Sequence, residues 1–279
     1  MKEIPGPAEV LAEAEHSLHH HGRVALCQIV RTEGSTPGKA GWKLLARPDG
    51  TSFGNLGGGA FEALVRTDAL ARLSNGCGRV SEIKRYYFTE QSVKGEPTGM
   101  VCGGLAEVFL EVLEAPPVLV VCGGGPVGQA LAQAGALAGF ECVIAEDRPE
   151  FRQSGLYPQG SRVAEVGRDF AEPFLETVKG RDLYVAVVTR CWETDTSALA
   201  GVLRQDPKRL RYLGLMGSRR KVARVREEVE ALGFALDGLK LHAPIGLPIG
   251  GDTPGEIAIS ILAEIIRTRY GRPEKDEDD

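Results

Sequence analysis

Three glycines with the spacing G-x-G-x-x-G, Gly123, Gly125 and Gly128, follow the apolar run Val118–Cys122 and precede an alanine-rich segment. In a strand-turn-helix unit the first glycine allows the tight turn, the second lets the backbone approach a pyrophosphate, and the third lets helix and strand pack closely. The next apolar run, 140–145, ends in Glu146 and Asp147, where an acidic side chain, taken as that of Asp147, would accept a hydrogen bond from a ribose hydroxyl. The pattern therefore predicts a nucleotide-type site, with a turn that only serves packing as the alternative.

Two later loops carry residues suited to the same ligand. Arg190 follows the fourth predicted strand of this half, and Ser218 and Arg219 follow the fifth. Ligands of open α/β sheets bind at the carboxyl ends of the strands, where arginines would balance phosphate charge and a serine would offer a donor at a helix start. We expect these loops to converge on one crevice; ordinary turns with solvated arginines are the alternative.

A second glycine run, Gly57, Gly58 and Gly59, precedes a predicted helix in the first half. Unhindered backbone amides at a helix start form an anion nest, so this loop, like the one at 123–128, is a candidate anion-binding site. Glu62 lies in the first turn of the helix, where it either complements the helix dipole or contacts a ligand. Cys102 lies between glycines on a predicted loop, which makes its thiol a candidate soft-metal ligand, with an inert loop cysteine as the alternative.

Two domains are predicted to position these residues, 1–115 and 118–271, with a proline-rich break between them and a charged tail, 272–279, that we expect to be disordered. The second half alternates nearly continuous apolar strands with helices, as parallel strands buried on both faces do. The first half mixes strands and helices without that alternation. The predicted fold class is α/β, with a C-terminal Rossmann-like doubly wound parallel sheet and a smaller N-terminal α+β domain. The predicted strands of the second half are 118–122, 140–145, 162–166, 183–189 and 211–215.

Composition narrows the partners and the location. A net charge of -5 argues against nucleic acid as a partner, because phosphate-backbone recognition needs clustered lysine and arginine. No apolar stretch approaches the ~18 residues of a membrane span, and the first ten residues lack the apolar core of a signal peptide, so we expect no membrane contact and a cytoplasmic location. A homodimer is the expected assembly, since acidic, well-patterned chains of this size often pair through isologous interfaces.

Short motifs occur along nearly the whole chain. They are GSTP at 34–37, GWK at 41–43, GGGAFE at 57–62 and CGG at 102–104, then GGGPVG at 123–128, DRPEF at 147–151, GLMGSRRK at 214–221, HAPIGL at 242–247 and TPGEIA at 253–258. Together they resemble the XdhC/CoxI family, the accessory proteins of xanthine dehydrogenase and related molybdenum hydroxylases. The resemblance implies that the chain binds the molybdenum cofactor, as molybdopterin or its dinucleotide form. It also implies that the chain protects the cofactor while a cysteine desulfurase supplies the terminal sulfur, and then passes it to the apo-enzyme of the hydroxylase.

Two positions depart from the family pattern. Ala60 stands where members commonly carry a cysteine implicated in cofactor binding, and Trp192 stands where they often carry a histidine. Cys102 is then the remaining thiol at a family position, and the resemblance places it near the molybdenum. The cofactor-binding residues predicted from the motifs and the resemblance together are Lys43, Gly57, Gly58, Gly59, Glu62, Cys102, Gly123, Gly125, Gly128, Asp147, Arg190, Ser218 and Arg219.

A maturation factor that is not itself an enzyme, or is only weakly catalytic, is the leading hypothesis. The alternative is an NAD(P)-dependent oxidoreductase that uses the Rossmann-like domain. Against the alternative, His242 is the single histidine of the second half, and no proton relay is evident for hydride chemistry.

Overall fold

The structure, a computed structural model, describes residues 5–74, 81–88, 96–97, 103–178, 180–205, 209–236 and 240–271. The chain folds as two compact units, Met1–Ala115 and Pro116–Asp279. Both Cys102 and the charged tail 272–279 lie outside the described residues.

The N-terminal unit consists of α1 (Pro7–His21), β1 (Arg23–Glu33), β2 (Lys43–Ala46), β3 (Ser52–Gly54), α2 (Gly59–Ser74), β4 (Ser81–Tyr87), β5 (Glu96–Pro97) and β6 (Leu105–Glu114). Its six strands form a sheet in the order β3-β2-β1-β6-β4-β5, antiparallel except for the parallel pair β4 and β5. Successive residues of β1 point to opposite faces: Val24 belongs to the apolar cluster that contains Val10 of α1, and Ala25 to the one that contains Phe61 of α2. One helix therefore covers each face.

The C-terminal unit consists of β7 (Val118–Cys122), α3 (Pro126–Leu137), β8 (Glu141–Glu146), β9 (Arg162–Glu165), β10 (Leu183–Val187), α4 (Trp192–Gln205), β11 (Leu210–Leu215), α5 (Arg219–Ala231), β12 (Leu241–His242) and α6 (Pro254–Arg269). Its six strands form a parallel sheet in the order β12-β11-β10-β7-β8-β9. This is the strand order of a dinucleotide-binding Rossmann fold, whose switch point lies between its first and fourth strands, here β7 and β10. The predicted α/β class and doubly wound sheet are confirmed.

The expected alternation of strands with helices fails around β9. The connection from β8 to β9, fully described, contains two short 3-10 helices, Pro149–Phe151 and Ser154–Leu156, and the described part of the next connection contains only one more, Glu176–Val178. Prolines and glycines interrupt both segments, which disfavours longer helices. Phe170 and Phe174 of the second connection instead fill the core beside α4 and α5, while α3 and α6 cover the opposite face.

Helix α6 begins with a capping box. The Thr253 hydroxyl accepts from the Glu256 amide, and the Glu256 carboxylate accepts from the Thr253 amide in return, with Pro254 in the first turn. No helix among the described residues has the length and apolar character needed to cross a membrane.

Candidate functional site

The three glycines after β7 lie in three different backbone environments. Gly123 has a φ of 112°, and a Cβ there would lie 2.9 Å from the carbonyl oxygen of Val188. A Cβ at Gly128 would overlap the carbonyl oxygen of Gly123 and lie 3.0 Å from its carbonyl carbon. At Gly125, by contrast, Nη2 of Arg148 at 3.8 Å is the sole described atom within 4 Å. The backbone is therefore open at the one glycine where a pyrophosphate would approach.

The first turn of α3 is also open to a ligand. Gly125 is the N-cap residue and Pro126 follows it, and among the described residues no side chain caps this helix. The α-helices α5 and α6 differ, since the side chain of Ser218 caps α5 and that of Thr253 caps α6. Uncapped amides and the helix dipole both favour an anion at this position.

Glu146, rather than Asp147, contacts the glycine loop. Its Oε2 accepts from the Gly124 amide, and its carboxylate binds the guanidinium of Arg148 through Nε at 2.9 Å and Nη2 at 3.0 Å. The Glu146 side chain is fully buried. The sequence pattern places both acidic residues directly after the strand and favours Asp147 as the site residue, whereas in the structure Glu146 bonds the glycine loop.

Asp147 and Arg190, which the sequence places in separate loops, form a bidentate ion pair. Nη1 and Nη2 of Arg190 donate to Oδ1 and Oδ2 of Asp147 at 2.8 and 2.7 Å. The hydrogen bonds from Arg190 lower the pKa of Asp147 from 3.8 to about 2. The loops after β8 and β10 are thus joined, and the Asp147 carboxylate is engaged with a cation.

Replacing Arg190 with glutamine is expected to raise the pKa of Asp147 from about 2 toward its ordinary 3.8, because the main lowering contact is lost. The carboxyl carbon chemical shift of Asp147, followed by NMR as pH falls, measures this change. The exposed Arg219, replaced in the same way, provides the control and should leave the titration unchanged. An unaltered Asp147 titration in the Arg190 variant would show that the pair is not formed in solution.

The loops after β10 and β11 meet through Asp195. The Thr189 hydroxyl donates to Asp195 Oδ1 at 2.5 Å, and the Lys221 ammonium pairs with Oδ2. Burial raises the pKa of Asp195, and these two partners oppose the shift. Ser218 accepts from the Lys221 amide at 3.3 Å, so its hydroxyl caps α5. Arg219, the first residue of α5, is exposed.

Trp192 and Cys191 lie at the start of α4. The guanidinium carbon of Arg224 lies 3.6 Å from the Trp192 ring centroid, so the indole is stacked against a cation. Cys191 is half-buried, with Sγ 3.2 Å from the Thr194 hydroxyl. The other three described cysteines are buried, and burial raises the pKa of Cys142, for example, to about 11.

In the N-terminal unit, the glycine loop before α2 is bound by the chain's own side chains. Oε2 of Glu62 accepts from the amides of Leu56 at 3.0 Å and Gly58 at 3.3 Å, and Asn55 accepts from the Gly57 amide. Gly57, Gly58 and Gly59 all have positive φ. Glu62 therefore holds the loop together, and the amides of Gly57 and Gly58 already have acceptors.

The remaining predicted residues of this unit do not form a metal centre in the described structure. Lys43 donates from Nζ to the carbonyl oxygen of Gly41 at 3.2 Å. Ala60 is exposed at the start of α2. Among the described residues there is no group of three or more histidine, cysteine, aspartate or glutamate side chains that could hold a metal ion.

Both units of the chain match profiles of known protein families. The profile of the XdhC Rossmann domain matches residues 119–265, and that of the XdhC and CoxI family matches residues 17–86. The chain is 34% identical over 270 residues to the uncharacterised protein YqeB of Escherichia coli, covering 95% of this chain and 47% of YqeB. It is 31% identical over 163 residues to a probable xanthine dehydrogenase subunit from Bacillus subtilis, covering 58% of this chain and 46% of that protein.

The chain spans about half the length of the curated relatives it matches. A crystal structure of a xanthine dehydrogenase from Bacillus halodurans aligns over 98% of both chains with a TM-score of 0.46 and 20% identity. The Rossmann-domain profile alone matches more than half of the sequence, in the unit whose glycine loop is described above. The chain therefore belongs to the XdhC and CoxI family.

Proposed function

We propose that this protein is an accessory factor for a xanthine dehydrogenase-type molybdenum hydroxylase and that it binds the molybdenum cofactor. The observation that carries the proposal is the open backbone at Gly125, directly before the uncapped start of α3. Membership of the family and the name of the Bacillus subtilis relative support the accessory role.

The phosphate of the cofactor fits the described residues better than its metal does. The amides at the start of α3 would bind a phosphate, and Arg148, next to Gly125, would add positive charge. Among the described residues, no group of side chains could hold the metal. Cys102, the thiol that the resemblance indicates, lies outside the described residues. When bound, the cofactor supplies the redox centre that the client enzyme needs. This chain would bind its phosphate and shield it from water until delivery.

Retention of the cofactor tests the proposal. The protein is incubated with molybdenum cofactor and desalted, and the fluorescence of the oxidised pterin is measured. We expect saturable retention by the wild-type protein and at least a tenfold loss in Gly125→Asp, because a carboxylate would repel the phosphate where the backbone is now open. Gly155→Asp is the control, since a side chain at Gly155 would meet no described atom within 4 Å. Absence of pterin on the wild-type protein would refute the proposed function.

A separate pair of variants tests the thiol. Cys102→Ser should reduce both cofactor retention and activation of the client hydroxylase, whereas Cys191→Ser serves as the matched comparison at a half-buried thiol. Unchanged retention and activation in Cys102→Ser would show that the assignment of Cys102 is wrong.

The expected partners are tested separately. The same activation assay, with and without a cysteine desulfurase, tests the hydroxylase and the desulfurase as protein partners. Sedimentation tests the expected homodimer.

A second candidate function is an NAD(P)-dependent oxidoreductase. The strand order of the C-terminal unit and the three glycine roles favour it, since both are features of dinucleotide-binding folds. Titration with NADH and NADPH separates the two functions. Saturable binding with turnover of a substrate would favour the enzyme, whereas retention of pterin without turnover favours the accessory factor.

A further inference from the structure

Arg148 is held as a rigid plane beside the glycine loop. Its guanidinium donates from Nε and Nη2 to the two oxygens of Glu146. One face of the guanidinium lies over the Phe151 ring, with Cζ 4.2 Å from the ring centroid. The side chain keeps 25% of its surface exposed. A planar cation that is fixed at its edge and covered on one face offers its other face for stacking.

This plane lies beside the open position of the glycine loop. Nη2 of Arg148 is 3.8 Å from the place where a Cβ on Gly125 would lie. A group attached to a phosphate bound at Gly125 would thus reach Arg148 first. At the carboxyl end of the second strand of a Rossmann sheet, that group is a nucleoside.

The acidic residues that read a ribose diol in such folds are already engaged. Oε1 of Glu146 accepts from the amide and from Nε of Arg148, and Oε2 accepts from the Gly124 amide and from Nη2 of Arg148. A carboxylate has about four acceptor sites, so all those of Glu146 are filled. Asp147 is paired through both oxygens with Arg190. The Glu146 carboxylate therefore has no free acceptor for ribose hydroxyls, and the Asp147 carboxylate is held by Arg190 with 7% of its side chain exposed.

We propose that the C-terminal unit recognises a nucleoside diphosphate group by stacking its base on Arg148 and does not read the ribose hydroxyls. The diphosphate lies at Gly125 and the start of α3, and the base lies on the face of Arg148 opposite Phe151. The proposal rests on the phosphate site of the proposed function and specifies the form of its ligand as a dinucleotide-type cofactor. Because the contact is stacking, a purine and a pyrimidine both fit.

Titration calorimetry with small probes tests this recognition. We expect ADP or CDP to bind about tenfold more tightly than inorganic pyrophosphate, since stacking of a base on a cationic or aromatic plane contributes at least that factor. The comparison of ADP with CDP shows whether the bound cofactor is better matched by an adenine or by a cytosine dinucleotide. The deoxy form, 2′-deoxy-ADP, should bind within about twofold of ADP, because both nearby carboxylates are already paired with arginines.

Arg148→Lys is the matched variant, since it keeps a positive charge for the buried Glu146 and removes the plane. It should bind pyrophosphate as the wild type does and lose the tenfold advantage of the nucleotides. Circular dichroism checks its fold, and Phe151→Leu, which leaves the Arg148 and Glu146 pair intact, should weaken nucleotide binding in the same direction. Arg220→Lys, at an exposed position of α5, is the control.

The outcomes separate this inference from the function on which it rests. Equal binding of nucleotides and pyrophosphate, or an unchanged nucleotide advantage in Arg148→Lys, would show that the base does not stack on Arg148. Neither result would contradict the phosphate site. Preference for ADP over 2′-deoxy-ADP by tenfold would show that the ribose is read and would also overturn it. Failure of all probes, pyrophosphate included, would remove the phosphate site as well.

Discussion

Replacing Gly128 with alanine is expected to lower the free energy of unfolding of the C-terminal unit by about 3 kcal/mol. The added Cβ would overlap the carbonyl oxygen of Gly123 and lie 3.0 Å from its carbonyl carbon. Both are backbone atoms, and the Gly123 amide is hydrogen-bonded to the Ala145 carbonyl at 2.9 Å. The loop therefore cannot yield without moving against β8.

Urea unfolding measures this effect. With Trp42 replaced by phenylalanine, Trp192 fluorescence reports on the C-terminal unit alone, which avoids mixing the two units in one transition. Gly155→Ala is the control and should stay within about 0.5 kcal/mol of the parent, because its Cβ would meet no described atom within 4 Å. A Gly128→Ala protein as stable as this control would contradict the close packing of loop and helix.

Replacing Glu264 with alanine is expected to cost the C-terminal unit about 3–5 kcal/mol, because three donors would lose their partner in the core. The Tyr212 hydroxyl, the Gly246 amide and His242 Nδ1 lie 2.5, 2.9 and 3.1 Å from the Glu264 carboxylate. The same unfolding assay measures the loss. Glu227→Ala, at an exposed position of α5, should change stability by less than about 0.5 kcal/mol.

The contribution of Glu264 should depend on pH in a defined direction. Burial alone would raise its pKa, but the hydrogen bonds from His242, Tyr212 and Gly246 outweigh burial and lower the pKa from 4.5 to about 2. A lowered folded-state pKa adds stability that is present above pH ~4.5 and is lost as pH falls toward ~2, which amounts to about 3 kcal/mol. Glu264→Gln should lose this part of the pH dependence. A variant with the acid profile of the wild type would exclude Glu264 as its source.

The positions of the strands and the backbone environments of the three glycines could be predicted because each depends on local pattern. An apolar run such as Val118–Cys122 predicts a buried parallel strand, and the spacing of Gly123, Gly125 and Gly128 requires three different backbone environments, all of which the structure contains.

The choice between adjacent acidic residues could not be made from the pattern. Glu146 and Asp147 are consecutive, and which of them faces the glycine loop depends on where β8 ends, a boundary uncertain by a residue or two in any sequence reading. Glu146 forms an ion pair with Arg148, two residues further along the chain, and Asp147 forms one with Arg190 from a distant loop. The second partner depends on tertiary structure.

Glu62 shows the same limit in the N-terminal unit. Its place in the first turn of α2 is compatible with a dipole contact or a ligand contact, and the structure shows bonds to the amides of Leu56 and Gly58 in its own loop. The absence of an α-helix between β8 and β9 could not be predicted for a related reason. The alternation of strands predicts that a crossover connects them, but it does not predict the secondary structure of that crossover.

Mass spectrometry of the ligands retained after gentle purification tests most directly whether the glycine loop holds the phosphate of a molybdenum cofactor. We expect a pterin phosphate on the wild-type protein, in its dinucleotide form, with near-complete loss from Gly125→Asp and unchanged retention by Gly155→Asp. A wild-type protein that carries no pterin, or a Gly125→Asp protein that retains it fully, would contradict the assignment of this loop.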